Sequence, residues 1–225
     1  MTSRTFDISF IVRSTKLDQS MPTGVLSGGV LKATHYQISK SHPLRRLFDE
    51  LVHRRFVRDI QISDLHLSSY ISGILVDFTH VDNLYRIRDV RGKHLEDIGE
   101  MLLESDPLLK ADSFDREREV RKHIGDYTLF MTGLFPEHVT SVRRSRGIRL
   151  ESFVDFVKAG KESYRIVSSY DPLEYESKEP LFRQLADKFE LCVYGLNLVK
   201  GDLERLQGNY YRDLERGLDL WENPA

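Results

Sequence analysis

The sequence is poor in cysteine and has no excess of charge of one sign. Cys192 is the only cysteine among 225 residues, so the chain can form neither an intrachain disulfide nor a zinc site built on cysteine pairs. The 33 basic and 35 acidic residues give a formal net charge of -2. This balance excludes the strongly basic field on which non-specific nucleic-acid binding depends, so we do not expect a nucleic-acid partner.

Long apolar runs are also missing. The longest apolar stretches, at 71–76 and 129–135, are far shorter than the roughly 20 residues that a membrane-spanning helix needs. Residues 1–16 carry Asp7 inside a short apolar stretch and lack the pattern of a signal peptide. Together with the lone cysteine, these absences predict a cytoplasmic protein without a membrane partner.

Two patterns divide the chain. Apolar residues alternate over 6–12, and the glycines and proline of 22–29 then interrupt regular structure, which predicts an extended or poorly ordered arm at 1–40. From residue 41 to 225, apolar residues recur at helical spacing. The sequence therefore predicts an all-α protein, a largely antiparallel multi-helix bundle preceded by a short extended N-terminal arm.

The most regular helical pattern lies near the C-terminus. Apolar residues there alternate in steps of three and four, which predicts a long helix packed along its neighbours. The same face also fits a homodimer formed through the heptad positions, and both interpretations stay open. The seam consists of Phe182, Leu185, Phe189, Cys192, Leu196, Val199, Leu203 and Leu206.

The most unusual segment is 123–137, with the sequence HIGDYTLFMTGLFPE. Its second half is apolar on nearly every side, which predicts a helix that passes from solvent into the interior. Gly125, Thr128, Thr132 and Gly133 are small residues that leave room for a neighbouring helix. Asp126 lies at the entry to this buried stretch, and a buried carboxylate must be paired, hydrogen-bonded or protonated.

Asp126 has two interpretations. In the first, His123 or Arg165 pairs with it, and the polar contact fixes the register of packed helices. In the second, it belongs to a polar pocket of an enzyme or of a protein that binds a small molecule or metal. The candidate pocket residues are His123, Asp126, Tyr127, Glu137, Lys161 and Tyr164.

The segment 123–137, together with the string GKESY at 160–164, resembles a family of bacterial helical proteins of unknown activity. In that family a Gly-Asp-aromatic-Thr-Leu-Phe stretch leads into a Gly-x-Phe/Tyr-Pro-Glu end. The resemblance implies a bacterial origin and an all-helical fold. It implies no activity, cofactor or catalytic residue.

Metal and cofactor motifs are incomplete. Two pairs with i, i+3 spacing each share one face of a predicted helix: His94 with Asp97, and His123 with Asp126. The paired Glu-x-x-His motifs of a di-metal bundle are missing. We therefore predict no metal and no cofactor. A separate basic cluster after the apolar segment is a candidate docking site for an anion or an acidic protein segment, and it consists of Arg143, Arg144, Arg146 and Arg149.

No complete set of catalytic residues emerges from these patterns. The leading hypothesis is a cytosolic helical protein that acts as a non-catalytic interaction or regulatory module. The alternative is an enzyme or small-molecule binder whose pocket surrounds His123 and Asp126.

Overall fold

A computed structural model describes residues 42–95, 97–109, 113–141, 153–170 and 180–222, with the side chains of 81, 138, 140–141 and 209–222 excluded. Helices account for most of these residues, as the sequence predicts. The predicted arm at 1–40 lies outside the described residues. The helices are α1 (Pro43–Arg58), α2 (Leu65–Asp77), α3 (Val81–Leu84), α4 (Ile98–Glu104), α5 (Phe114–Leu134), α6 (Pro136–Ser141), α7 (Phe153–Tyr170), α8 (Leu181–Asp187) and α9 (Phe189–Glu222).

Short polar side chains begin several of these helices. Asp64 accepts hydrogen bonds from the backbone N–H groups of His66 and Leu67 at the start of α2. Asp97 and Ser113 do the same for the first turns of α4 and α5. These caps satisfy N–H groups that the helix itself leaves unpaired, so the helix boundaries follow from local chemistry.

Helix α5 lies at the centre of the bundle and packs along α7 and against α9 and α4. Gly125 of α5 faces Tyr164 of α7, whereas Gly160 of α7 faces Thr128 of α5, so the two helices run antiparallel. Helix α1 packs on α2 and on α9. The predicted burial of α5 is confirmed, since Ile124, Leu129 and the residues around them are shielded from solvent.

The apolar seam of the C-terminal region is part of this core. Its members from Phe182 to Leu203 are buried within the chain itself, and only Leu206 is substantially exposed. The seam is not one unbroken helix, because α8 ends at Asp187 and α9 begins at Phe189, with a turn at Lys188 between them. Homodimerisation through this face stays a prediction, and it would have to use the part of the seam beyond Leu203.

The helix predicted to include His94 and Asp97 begins only at Ile98. His94 forms an isolated antiparallel bridge with Arg88 in a short hairpin, and Asp97 caps α4 rather than lying inside a helix. The i, i+3 pairing expected of His94 and Asp97 on a helix face is therefore wrong. Within the described residues, no helix is both long enough and apolar enough to cross a membrane.

Candidate functional site

Asp126 is buried, with 4% of its surface exposed, and three donors from three helices surround its carboxylate. The Tyr70 hydroxyl of α2 donates to Oδ1 at 2.6 Å, and the Tyr164 hydroxyl of α7 donates to the same oxygen at 2.9 Å. Lys122, one turn earlier on α5, donates from Nζ to Oδ2 at 2.7 Å. We call these four residues the Asp126 cluster.

Aromatic packing holds the two tyrosines in place. The Tyr70 and Tyr164 rings both contact the Phe182 ring of α8, with centroid distances of 5.5 and 5.9 Å. The Lys122 ammonium lies 5.1 Å from the centroid of the Tyr70 ring, a cation–π distance. Burial, reinforced by the Asp126 charge, raises the pKa of both tyrosine hydroxyls, so they remain protonated donors.

The donors are not the ones that the sequence suggested. Arg165 is exposed and lies 3.9 Å from Glu162, away from the cluster. His123 shares α5 with Asp126, but its ring packs edge-on against Phe78 and beside Tyr127. Lys122 could have been found from its i, i+4 spacing to Asp126. Tyr70 could not have been found from the sequence, because its position depends on how α2 packs against α5.

His123 is completely buried, and among the described residues no group lies in normal hydrogen-bond geometry to either ring nitrogen. Burial lowers the pKa of His123 to about 3, and the nearby Arg86 charge acts in the same direction. Asp126 opposes this shift, as does the backbone of Leu84, but more weakly. The imidazole is therefore neutral at physiological pH and lies in an aromatic environment.

The other candidate pocket residues lie elsewhere. Glu137 of α6 pairs with Lys200 of α9 at 2.9 Å, and Lys161 of α7 pairs with Glu190 of α9 at 2.6 Å. Tyr127 is buried against the Tyr85 ring. Of the six predicted pocket residues, the structure thus joins only Asp126 and Tyr164 by a direct hydrogen bond.

The Asp126 cluster can do little chemistry in this arrangement. The carboxylate has almost no exposed surface, and both of its oxygens already accept hydrogen bonds. Among the described residues, no group of three or more histidine, cysteine, aspartate or glutamate side chains is placed to hold a metal ion. Cys192 is buried, and burial raises its thiol pKa to about 12, so the nucleophilic thiolate does not form at neutral pH.

An open groove on the surface offers a more accessible site. It has a volume of about 600 Å³ and lies between α7 and the first turn of α9. Phe153, Val154 and Val157 supply apolar surface, and charged side chains follow along α7. We call it the α7–α9 groove; its lining residues are Phe153, Val154, Val157, Lys158, Lys161, Glu162, Arg165 and Glu190.

Apolar side chains are exposed on the same two helices. Val154 is 55% exposed on α7, and Leu191 and Tyr194 are 48% and 55% exposed on α9. Lys161 donates to Glu190 across the groove and holds the pKa of that carboxyl below its usual range. The candidate arginine cluster at Arg143, Arg144, Arg146 and Arg149 lies outside the described residues, so its place relative to the groove is not defined.

Comparisons with protein-family models, with curated proteins and with solved structures find no match. The resemblance of 123–137 to a family of bacterial helical proteins accordingly stays a prediction.

Proposed function

We propose that this protein is a non-catalytic interaction module that holds an acidic, amphipathic segment of another protein in the α7–α9 groove. The observation that carries the proposal is the lining of the groove, where apolar side chains lie next to a row of cations on an accessible surface. An amphipathic helix that lays its apolar face into such a groove is a common mode of peptide recognition.

The closed state of the Asp126 cluster supports a structural rather than a catalytic role for it. A general acid or base must come within hydrogen-bond reach of a substrate proton. The two oxygens of Asp126 are occupied by Tyr70, Tyr164 and Lys122, and little of the residue meets solvent. A buried polar contact between three helices suits a scaffold that must keep one arrangement.

The charges along α7 support an acidic partner. Lys158, Lys161 and Arg165 recur at intervals of three and four residues, so they share one side of the helix. Within the described residues, Lys158 has no carboxylate in ion-pair distance, whereas Lys161 and Arg165 hold Glu190 and Glu162. Such exposed ion pairs contribute about 1 kcal/mol or less, so a partner's carboxylates can replace them at little cost.

The dimensions of the groove fit a short helix. From Val154 to Arg165 the lining follows α7 for about 16 Å, given a rise of roughly 1.5 Å per residue. A partner helix of about three turns matches this length. Its apolar residues would lie over Val154 and Val157, and its carboxylates would meet the row of cations.

The test is a selection of peptides from a random helical library displayed on phage, with the full chain as bait. We expect enriched peptides to carry leucine, isoleucine or phenylalanine at i and i+3 or i+4, with Asp or Glu beside them. Selected peptides should bind Val154→Asp and Lys158→Glu at least tenfold more weakly by fluorescence anisotropy. Leu65→Asp and Arg46→Glu are matched controls, since both sites are exposed and lie outside the groove.

Two results would overturn the proposal. One is a selection that enriches no acidic amphipathic peptide. The other is enriched peptides that bind the groove variants and the control variants equally. Because all four substituted side chains are exposed, far-ultraviolet circular dichroism should show unchanged helix content, and this rules out misfolding as the cause of lost binding.

A further inference from the structure

Helix α9 extends past the helices that pack against it. Gly195 of α9 faces Ile60, just after the end of α1, and Asp202 contacts Arg55, so α1 and α9 run antiparallel. Helix α1 begins at Pro43, twelve residues before Arg55. Since both helices rise by roughly 1.5 Å per residue, Pro43 lies beside about position 214 of α9. The residues of α9 that follow have no part of α1 alongside them.

The helices on the other side of α9 end earlier. Gly133 of α5 faces Leu196, and Glu137 of α6 pairs with Lys200, so this part of the chain follows α9 in the same direction. Helix α6 ends at Ser141, four residues after Glu137, and can reach at most about position 204 of α9. Residues 213–222 of α9 therefore extend beyond the described parts of α1, α5 and α6. We call them the α9 end segment.

The α9 end segment has the sequence DLERGLDLWE, which contains two stripes of residues. Apolar and acidic residues each recur at i, i+4 and i+7, so each set follows one face of the helix, and each acidic position comes directly after an apolar one. The single basic residue, Arg216, falls on the side opposite the apolar stripe. The segment is therefore an acidic amphipathic helix. The apolar stripe is Leu214, Leu218 and Trp221, and the acidic stripe is Glu215, Asp219 and Glu222.

The α7–α9 groove carries the complementary stripes. Its row of cations runs from Lys158 through Lys161 to Arg165 and covers the same length of helix as the acidic stripe. Val154 and Val157 supply apolar surface beside this row. Two carboxylates also line the groove, but Lys161 and Arg165 hold them, and Lys158 has no carboxylate in ion-pair distance in the described residues. The end segment, about 15 Å long, therefore matches the groove in length, in apolar surface and in the sign of charge.

The end segment cannot reach the groove of its own chain. Glu190 in the groove and Asp213 at the start of the segment belong to one helix, which is unbroken from Phe189 to Glu222. Their separation in sequence corresponds to about 35 Å along the helix axis. A continuous helix cannot fold back over that distance, so only the end segment of another copy can enter the groove.

We propose that the segment held in the α7–α9 groove is the α9 end segment of a second copy of this chain. The inference rests on the proposed function of the groove and names its occupant. In this contact the apolar stripe packs on Val154 and Val157, while the acidic stripe meets the row of cations. Each copy carries one groove and one end segment, so two different surfaces join the copies. The apolar seam up to Leu203 takes no part, in agreement with its burial within the single chain.

The test is sedimentation velocity of the full chain over a wide range of protein concentrations. We expect the mean mass to rise with concentration and the association to weaken as salt concentration rises. Val154→Asp in the groove and Leu218→Asp in the end segment should each weaken association by about tenfold or more. Leu220→Asp, in the same segment but outside the apolar stripe, and Leu65→Asp, on α2, should associate like the wild type. Circular dichroism should show unchanged helix content in every variant.

Mixing the two weakened variants tests whether the groove and the end segment contact each other. Val154→Asp keeps an intact end segment, and Leu218→Asp keeps an intact groove. Fluorescently labelled Val154→Asp should therefore bind Leu218→Asp more tightly than either variant binds itself.

A chain that stays monomeric at every concentration would overturn the inference. Association that the groove substitution does not weaken, or that mixing does not restore, would overturn it as well. If selected acidic peptides bind the groove of a monomeric chain, the groove proposal stands and only the identity of its occupant fails. If no acidic peptide binds the groove and the chain is monomeric, both proposals fail.

Discussion

The Tyr164 hydroxyl of α7 donates a 2.9 Å hydrogen bond to the Asp126 carboxylate of α5, at a point where the two helices nearly touch. A Cβ atom placed on Gly125, the residue before Asp126, would lie only 2.5 Å from the Tyr164 ring. Close packing and the polar contact therefore depend on each other. The glycine lets the tyrosine approach, and the tyrosine satisfies the buried carboxylate.

Gly125→Ala tests this close approach. We expect a loss of about 1–3 kcal/mol in the free energy of unfolding, because Tyr164 is fully buried and has no room to move away. Gly73→Ala in α2 is the matched control, since a Cβ atom added at Gly73 would meet nothing within 4 Å. That control should be neutral or stabilising by up to about 1 kcal/mol, as alanine favours helix. Urea denaturation measures both, and equal effects would contradict the packing argument.

The buried ring of His123 should make the free energy of unfolding depend on pH. Its folded pKa of about 3 lies below the unfolded value of 6.5, so the neutral ring stabilises the fold fully above pH 6.5. Stability should fall as the pH drops below 6.5, by up to about 1.4 kcal/mol per pH unit, until the folded pKa is reached. Denaturation at a series of pH values measures the slope.

Replacement of the imidazole separates His123 from the other titrating groups. His123→Leu should flatten the slope between pH 6.5 and about 5, a range that lies above the ordinary pKa values of aspartate and glutamate side chains. His53→Gln, at an exposed position, should leave the slope unchanged. An unaltered slope in His123→Leu would show that the ring is not the source of acid sensitivity.

Asp202 joins α9 to α1 through Arg55, with distances of 2.6 and 2.7 Å to its two carboxylate oxygens. Hydrogen bonds from Arg55 lower the pKa of Asp202, so this contact stabilises the fold above pH 3.8 and is lost on acidification below it. Asp202→Asn should cost about 1–3 kcal/mol in thermal or chemical denaturation. Asp59→Asn removes the other, more exposed carboxylate that binds Arg55 and should cost about 0.5 kcal/mol or less. Equal losses would contradict a special role for Asp202.

Sequence patterns predicted the features of this protein that depend on local periodicity. The all-helical fold, the burial of α5 and the need for a partner at Asp126 all follow from residue spacing and from the cost of burying a charge. Spacing does not predict the break at Lys188, because the apolar period continues through it without a change. A turn of this kind leaves the seam in register, since the N–H of Cys192 still donates to the Lys188 carbonyl.

Features that depend on the packing of distant segments could not be predicted. Tyr70 reaches Asp126 across 56 positions in sequence, and no spacing rule connects them. The same holds for the α7–α9 groove, whose existence depends on how Val154 and Glu190 are placed by different helices. The helical spacing of Leu95, Ile98 and Leu102 favours a helix directly after the turn at Gly92, but the bridge between Arg88 and His94 delays its start to Ile98.

The most direct test of the Asp126 cluster as a structural contact is a double-mutant cycle of Asp126→Asn and Tyr164→Phe, followed by urea denaturation. The account predicts that each variant is destabilised by about 1–3 kcal/mol and that the two effects couple by about 1 kcal/mol, because they remove one shared contact. Peptide binding by the α7–α9 groove should persist in both variants under folding conditions. Two results would contradict the account. One is a free energy of unfolding in Asp126→Asn equal to that of the wild type, and the other is additive effects of the two substitutions.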